Sequence, residues 1–265
     1  MTESQAATGA ITETLDWTGR PIDCAACPHR ERLASLRCGP SWSCMQDRYA
    51  PRIDRFFALN PECANDALTH PYFEVRAVAA RYADLFHLAR LLSDPDETVR
   101  WSVAQRLPIT QLHKLSHDPD REVRIRVASR IRPGDLFAMI HDPDYYVRQI
   151  VAKRLAPGLL PLMAADPEAE VRKVVAHRAD STLLPRMARD PDPAVRLVTI
   201  ERLSPAQLVA LRSDPDWRVR YEIARQIPVD ALGALLSDDD AEVRRMAQLR
   251  CDAALDEAGP SRCVS

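Results

Sequence analysis

The chain has 265 residues, of which 46% are hydrophobic and only 6% aromatic, and its formal net charge at pH 7 is −2. A charge so close to zero indicates neither a nucleic-acid binder nor an acidic tail. Only seven glycines are present, which argues against an extended flexible linker.

Residues 1–20 contain acids, threonines and alanines without the apolar core of a signal peptide. No later stretch approaches the length of a membrane span. We therefore expect a flexible N-terminal segment over residues 1–20, a cytoplasmic protein and no membrane partner. Seven cysteines in such a chain indicate metal ligands or buried thiols rather than a disulfide framework.

Four cysteines lie close together in the next segment, residues 21–60, where Cys24, Cys27, Cys38 and Cys44 follow the pattern C-x2-C-x10-C-x5-C. The two thiolates of a CxxC turn can reach one metal, and the second pair can complete a set of four ligands. This spacing fits a structural zinc ion or an iron–sulfur cluster and does not decide between them. Cys63 is a candidate substitute ligand.

A 24-residue repeat fills residues 61–250 in about eight units, each with a Val-Arg pair such as Val99-Arg100. An Asp-Pro pair opens most units, and it predicts a helix with an N-cap at Asp94 or its equivalent. An apolar stripe at helical spacing follows, and then a pair of leucines or methionines three residues apart that predicts a short 3₁₀ or α-helical turn. No alternating strand pattern occurs. We expect an all-α solenoid of alternating α and 3₁₀ helices, followed by a C-terminal tail over residues 251–265.

Two rows of arginines follow the repeat. The arginine directly after each repeat valine points into the packed face, so it must pair with loop carbonyls or with an aspartate of an adjacent unit. The second row stands seven residues after the valine, at the border of the apolar face. Its guanidinium groups are predicted either to pair with acids of neighbouring units or to bind an anionic partner, which would be an acidic protein or, with weaker support, a nucleic-acid backbone. This row consists of Arg106, Arg130, Arg154, Arg178 and Arg202.

The repeat, with its DPDxxVR motif, Ala-rich stripe and spaced Leu pair, resembles the leucine-rich repeat variant family over roughly residues 70–250. HEAT-like repeats share part of this motif but are longer. The resemblance implies a right-handed superhelix of α and 3₁₀ helices. Some members from nitrogen-fixing bacteria carry an N-terminal cysteine-rich module that holds a 4Fe-4S cluster, and the four cysteines ahead of these repeats match that layout. By this resemblance, the cluster ligands are Cys24, Cys27, Cys38 and Cys44. We expect Cys251 and Cys263 to take no part, because about eight stacked repeats separate them from the module.

Neither a catalytic motif nor a phosphate-binding loop occurs in the sequence, so we do not expect an enzyme. We expect a bacterial 4Fe-4S protein that acts as a redox-linked scaffold for a protein partner, in nitrogen fixation or in the assembly of another metallocluster. The alternative is a scaffold without redox chemistry, in which zinc stabilises the module and the second arginine row binds an acidic protein or a nucleic-acid backbone.

Overall fold

A computed structural model describes residues 14–258, with side chains described for residues 14–255. This part of the chain contains helices and no strand, as predicted, and the only β pairing in it is three isolated bridges. None of its helices is both long enough and apolar enough to cross a membrane. The predictions for residues 1–13, for residues 259–265 and for Cys263 concern positions outside the described residues.

The chain divides into two compact units, and the first covers Met1–Arg132. Residues 14–20 lie within the segment predicted to be flexible, and two of them form isolated β-bridges, Leu15 with Pro21 and Asp16 with Asp47. The α helices of this unit are α1 (Glu31–Ala34), α2 (Ala50–Leu59), α3 (Ala64–Ala67), α4 (Phe73–Ala79), α5 (Leu85–Leu88), α6 (Glu97–Arg106) and α7 (Arg121–Arg130). Its 3₁₀ helices are Pro61–Cys63, Ala89–Leu91 and Ile109–Leu115.

The second unit covers Pro133–Ser265 and consists of further repeats. Its α helices are α8 (Tyr145–Arg154), α9 (Ala169–Arg178), α10 (Leu184–Met187), α11 (Pro193–Ile200), α12 (Pro205–Val209), α13 (Trp217–Gln226) and α14 (Ala241–Ala258). Its 3₁₀ helices are Pro133–Met139, Pro157–Met163, Val229–Ala231 and Gly233–Ser237. In two repeats the second segment is a short α-helix, α10 or α12, instead of a 3₁₀ helix.

Each repeat buries the predicted apolar stripe. In the repeat that contains α6, Val99, Val103, Ala104 and Leu107 are at most 1% exposed. Leu112 of the following 3₁₀ helix is fully buried too, so both segments contribute to one core. The helix ends after Arg106 because the next residue adopts an extended conformation and precedes a proline, which disfavours helical geometry.

The prediction that Asp94 is the helix N-cap is wrong, because the cap lies two residues later. Asp96 is the N-cap of α6, and its side chain accepts a hydrogen bond from the N–H of Thr98 at 2.9 Å. Asp94 shapes the preceding turn instead, where its Oδ1 accepts the N–H of Asp96 at 3.0 Å. The carboxylate of Asp94 also pairs with Arg76 of the previous repeat.

This contact of an arginine with the next repeat's aspartate recurs along both units. In the second unit, Arg148 donates from Nε to Asp166 Oδ2 at 2.7 Å and from Nη2 to Oδ1 at 3.0 Å. Its Nη1 donates to the carbonyl of Asp142 at 2.8 Å. Both partners are those that the sequence predicts for the first arginine row. Further such pairs include Arg76–Asp94, Arg100–Asp118, Arg172–Asp190, Arg196–Asp214 and Arg220–Asp238.

Candidate metal centre

The first pair of thiols belongs to a turn that Asp23 shapes. Asp23 Oδ1 accepts the N–H of Ala25 at 2.8 Å and that of Ala26 at 3.3 Å. The N–H of Cys27 donates to the carbonyl of Cys24 at 3.4 Å. An aspartate that binds the backbone two residues on is a common way of closing a tight turn. Here the turn places both cysteines on the lining of one cavity.

The second pair of thiols flanks a closed loop. The N–H of Gly39 donates to the carbonyl of Ser43 at 2.7 Å, and the reverse bond is 3.1 Å long. These two bonds hold together the residues directly after Cys38 and directly before Cys44. Trp42 packs so closely on Gly39 that a Cβ at position 39 would collide with the indole nitrogen. A residue without a side chain is therefore required there.

All four of these cysteines line one cavity. The rest of the lining includes the apolar side chains of Ile22, Leu33 and Phe56, and Phe56 is only 1% exposed. The described residues include no group of three or more His, Cys, Asp or Glu side chains that could hold one metal ion as they stand. The four thiols instead surround the cavity.

Burial is the largest cause of the raised pKa values of three of these thiols. It raises the pKa of Cys44 to about 12, and the charge of Cys27 adds to this rise. Burial and then the charge of Cys27 also raise the pKa of Cys24 and of Cys38. One thiol thus influences the other three, which places all four in a common electrostatic environment. Without a metal, Cys24, Cys38 and Cys44 are protonated at neutral pH, so metal binding must release protons.

Two arginines fasten the segment between the second and third cysteines to the rest of the first unit. Arg32 Nη1 donates to Asn60 Oδ1 at 3.0 Å and to Glu62 Oε1 at 2.7 Å. Arg37 Nε donates to the carbonyl of Leu59 at 3.0 Å. The cavity wall is therefore tied to the end of α2 and to the 3₁₀ helix that follows.

Cys63 lies on a neighbouring cavity of about 450 Å³ and is absent from the described lining of the four-cysteine cavity. The side chains of His29 and Met45 border both cavities. Cys251 is buried in α14 of the second unit. The described lining of the cavity therefore contains Cys24, Cys27, Cys38 and Cys44 but neither Cys63 nor Cys251.

The second arginine row contacts backbone carbonyls, a type of partner that the sequence did not indicate. Arg178 Nη1 donates to the carbonyl of Ala152 at 2.7 Å and to that of Leu155 at 2.8 Å, at the C-terminal end of the preceding repeat's helix. A cation at this end satisfies otherwise unpaired carbonyls and interacts favourably with the helix dipole. The same contact occurs at Arg106, Arg130 and Arg202, and also at Arg250, which the sequence analysis missed although it has the same offset from its repeat valine.

Three similarities to known proteins bear on this site. Residues 14–66 match the family model described as the LRV protein FeS4 cluster. A solved structure titled as a leucine-rich repeat variant with a novel repetitive protein structural motif is 41% identical, with a TM-score of 0.80, and the match covers 86% of this chain and 98% of that one. An uncharacterized 27.7 kDa protein in the nifB 3′ region of Rhodobacter capsulatus is 55% identical over 96 residues. That last match spans 36% of this chain and only 39% of the relative.

Proposed function

The chain belongs to the leucine-rich repeat variant family, and we propose that its N-terminal module binds a 4Fe-4S cluster while its repeats serve as a scaffold for a protein partner. The observation that carries this proposal is that Cys24, Cys27, Cys38 and Cys44 line one cavity. All four belong to the segment that matches the cluster family.

The donor set fits such a cluster. Four cysteine thiolates are the usual ligands of a 4Fe-4S cluster. When bound, a 4Fe-4S cluster supplies one-electron oxidation and reduction. This chemistry supports a redox-linked role.

The chain's own residues prepare the site in three ways. The turn at Asp23 and the closed loop at Gly39 orient the two thiol pairs. The apolar side chains of Leu33 and Phe56 limit the access of water, and such a hydrophobic shell influences the reduction potential of a cluster. The protonated thiols must release protons when they become ligands.

The setting we propose is nitrogen fixation or the assembly of another metallocluster, in the bacterial cytoplasm. The Rhodobacter capsulatus relative supports it, because that protein is described by its position in the nifB 3′ region. A reducing compartment also suits a site made of unpaired thiols. The repeats offer stacked helices as the scaffold.

The test is to express and purify the chain without oxygen and to measure iron, acid-labile sulfide and zinc. We expect a brown protein with about four irons and four sulfides per chain. Stoichiometric zinc without iron or sulfide would contradict the redox proposal and favour the zinc-stabilised scaffold.

Cysteine variants make the test specific. Cys38→Ser should lose the cluster, because it removes one of the four thiols that line the cavity. Cys63→Ser is the matched control, since this nearby buried thiol borders the adjacent cavity. Equal iron content in the two variants would show that the ligand set is wrong.

A further inference from the structure

We infer that Arg244 is a carboxylate-binding site at the C-terminal end of the repeats, and that its ligand is an acidic side chain of the protein partner. Arg244 is the member of the first arginine row that belongs to α14, the final helix of the described residues. This inference rests on the scaffold role proposed above and names the chemistry by which the repeats recognise the partner.

The preceding member of the row shows what such an arginine binds. Arg220 donates from Nε to Asp238 Oδ2 at 2.7 Å and from Nη2 to Oδ1 at 2.8 Å. Its Nη1 donates to the carbonyls of Asp214 and Pro215 at 2.8 Å and 3.3 Å. One part of the guanidinium group thus binds the backbone of its own turn, while Nε and Nη2 bind the carboxylate of the next repeat. Two parallel hydrogen bonds of this kind are specific for a planar anion such as a carboxylate.

Arg244 makes the backbone half of this arrangement and lacks the other half. Its Nη1 donates to the carbonyls of Asp238 and Asp239, which occupy the positions that Asp214 and Pro215 have for Arg220. Its Nε and Nη2 make no hydrogen bond or ion pair within the described part of the chain, where no further repeat follows α14. The guanidinium group is therefore oriented by its own turn before a ligand arrives, which lowers the entropic cost of binding one.

The acidic groups closest to Arg244 along the chain do not occupy it. The carboxylate of Asp238 is bound by Arg220. Asp240 Oδ1 accepts N–H groups at the start of α14. Asp239 is exposed and forms no ion pair in the part of the chain that the structure describes. The positive charge of Arg244, which is itself exposed, is thus available to a ligand from outside.

The surface beside Arg244 suits a polar loop better than another repeat. Gln248, one helical turn later, is exposed, whereas Ala224 at the same position of the preceding repeat is fully buried. The amide of Gln248 donates to Asp252 at 2.8 Å. This end of the repeats therefore offers hydrogen-bonding groups around a single open guanidinium.

The repeat register favours a partner of different sequence over a second copy of the chain. The position 24 residues after Asp238 is Arg262, so the chain has no aspartate in register for Arg244. At the other end of the array, the position that precedes Asp94 by one repeat is His70, which offers no carboxylate. Two C-terminal ends placed together would bring one Arg244 against the other. Charge complementarity thus favours a carboxylate on a loop of the partner.

The probe is a tetrapeptide blocked at both ends, Ala-Asp-Pro-Ala, which carries one carboxylate next to a proline as the repeat turns do. Ala-Asn-Pro-Ala is the matched neutral probe. The measurement is NMR of the ¹⁵N-labelled full-length chain, followed at the side-chain Nε–H of Arg244 and at the backbone amides of α14. We expect a saturating shift with the aspartate peptide that weakens as KCl is added, and no saturating shift with the asparagine peptide.

Two variants test the geometry of the site. Arg244→Lys keeps the charge but loses the planar pair of donors, so the affinity for the aspartate peptide should fall about tenfold. Arg245→Gln is the matched control, because Arg245 is the next residue of α14 and pairs with Glu242 at 3.0 Å. This variant should keep the parent affinity.

Equal shifts with the two peptides would overturn the inference, and so would an Arg244→Lys variant with the parent affinity. Binding that appears only after residues 259–265 are deleted would assign the site to the chain's own tail and overturn its assignment to a partner. Iron and sulfide content of the same samples tests the proposed cluster separately. A chain with about four irons that does not bind the aspartate peptide would therefore defeat this inference and leave the cluster proposal standing.

Discussion

Arg100 in one repeat and Asp118 in the next form a buried ion pair with two parallel hydrogen bonds. The bonds are 2.8 Å from Nε to Oδ2 and 3.0 Å from Nη2 to Oδ1. Their side chains are only 9% and 2% exposed. Arg100 also donates to the carbonyls of Asp94 and Pro95. One guanidinium therefore joins the turns that begin two successive repeats.

Arg100→Ala should destabilise the chain strongly, because it leaves the buried carboxylate of Asp118 without its cation. Breaking a buried ion pair by removal of one partner costs about 3–5 kcal/mol. Arg121→Ala is the control, since that side chain is 52% exposed, and it should change the free energy of unfolding by less than about 0.5 kcal/mol. Urea denaturation followed by circular dichroism measures both. Identical denaturation midpoints for the two variants would contradict a structural role for the first arginine row, the arginines that directly follow each repeat valine.

Arg178→Ala tests the second arginine row. This change leaves the carbonyls of Ala152 and Leu155 without their donor, and a hydrogen bond to a charged group contributes about 1.5–3 kcal/mol. We expect a loss of stability in this range. Arg186→Ala, at an exposed position in α10, should be near neutral.

The same pair of variants examines the predicted anionic partner. If Arg178→Ala keeps the parent's stability but weakens retention on a heparin column more than Arg186→Ala does, the second row acts mainly as a ligand surface. Lost stability with equal retention would assign it the capping role.

The periodic part of the fold could be predicted from the sequence because one apolar spacing recurs in every unit and has one helical solution. The residue at which each helix begins could not be predicted, because Asp94 and Asp96 are both good N-cap residues. The choice between them depends on Arg76, which reaches Asp94 from the preceding repeat. The sequence alone does not show that the guanidinium group of Arg76 lies within ion-pair distance of Asp94.

The candidate metal centre and the arginine contacts could likewise be predicted only in part from the sequence. The spacing of the four cysteines predicted a shared metal centre, since local density is visible in a sequence. The partners of Arg178 were not predictable in this way, because every residue has a backbone carbonyl and the sequence does not indicate which ones accept a hydrogen bond.

Acid should weaken the second unit through Asp238. The pKa of this carboxyl lies below its ordinary value of 3.8, chiefly because Arg220 donates two hydrogen bonds to it. Around and below pH 4 the unfolded chain therefore takes up this proton more readily than the folded chain. The stability from this pair is present above the ordinary pKa and is lost as the pH falls through the lowered folded value.

Asp238→Asn isolates this contribution. The variant should be less stable than the parent at pH 7, and its unfolding free energy should fall less steeply between about pH 4 and pH 2. Urea denaturation at several pH values measures the slope. A variant with the parent's full acid dependence would show that other carboxylates dominate.

Gly39→Ala should disrupt the candidate metal centre while leaving the repeats folded. A Cβ at this position collides with the indole nitrogen of Trp42, so the loop between Cys38 and Cys44 must shift. Gly134→Ala is a matched control, because a Cβ there meets no atom within 4 Å. We expect the Gly39 variant to lose most of its iron after anaerobic purification while it keeps the helical circular dichroism signal of the parent. The double variant Gly39→Ala/Trp42→Leu, which removes the indole, should regain part of the iron. If Gly39→Ala and Gly134→Ala bind the parent's amount of iron, the close contact of Gly39 with Trp42 does not control the site.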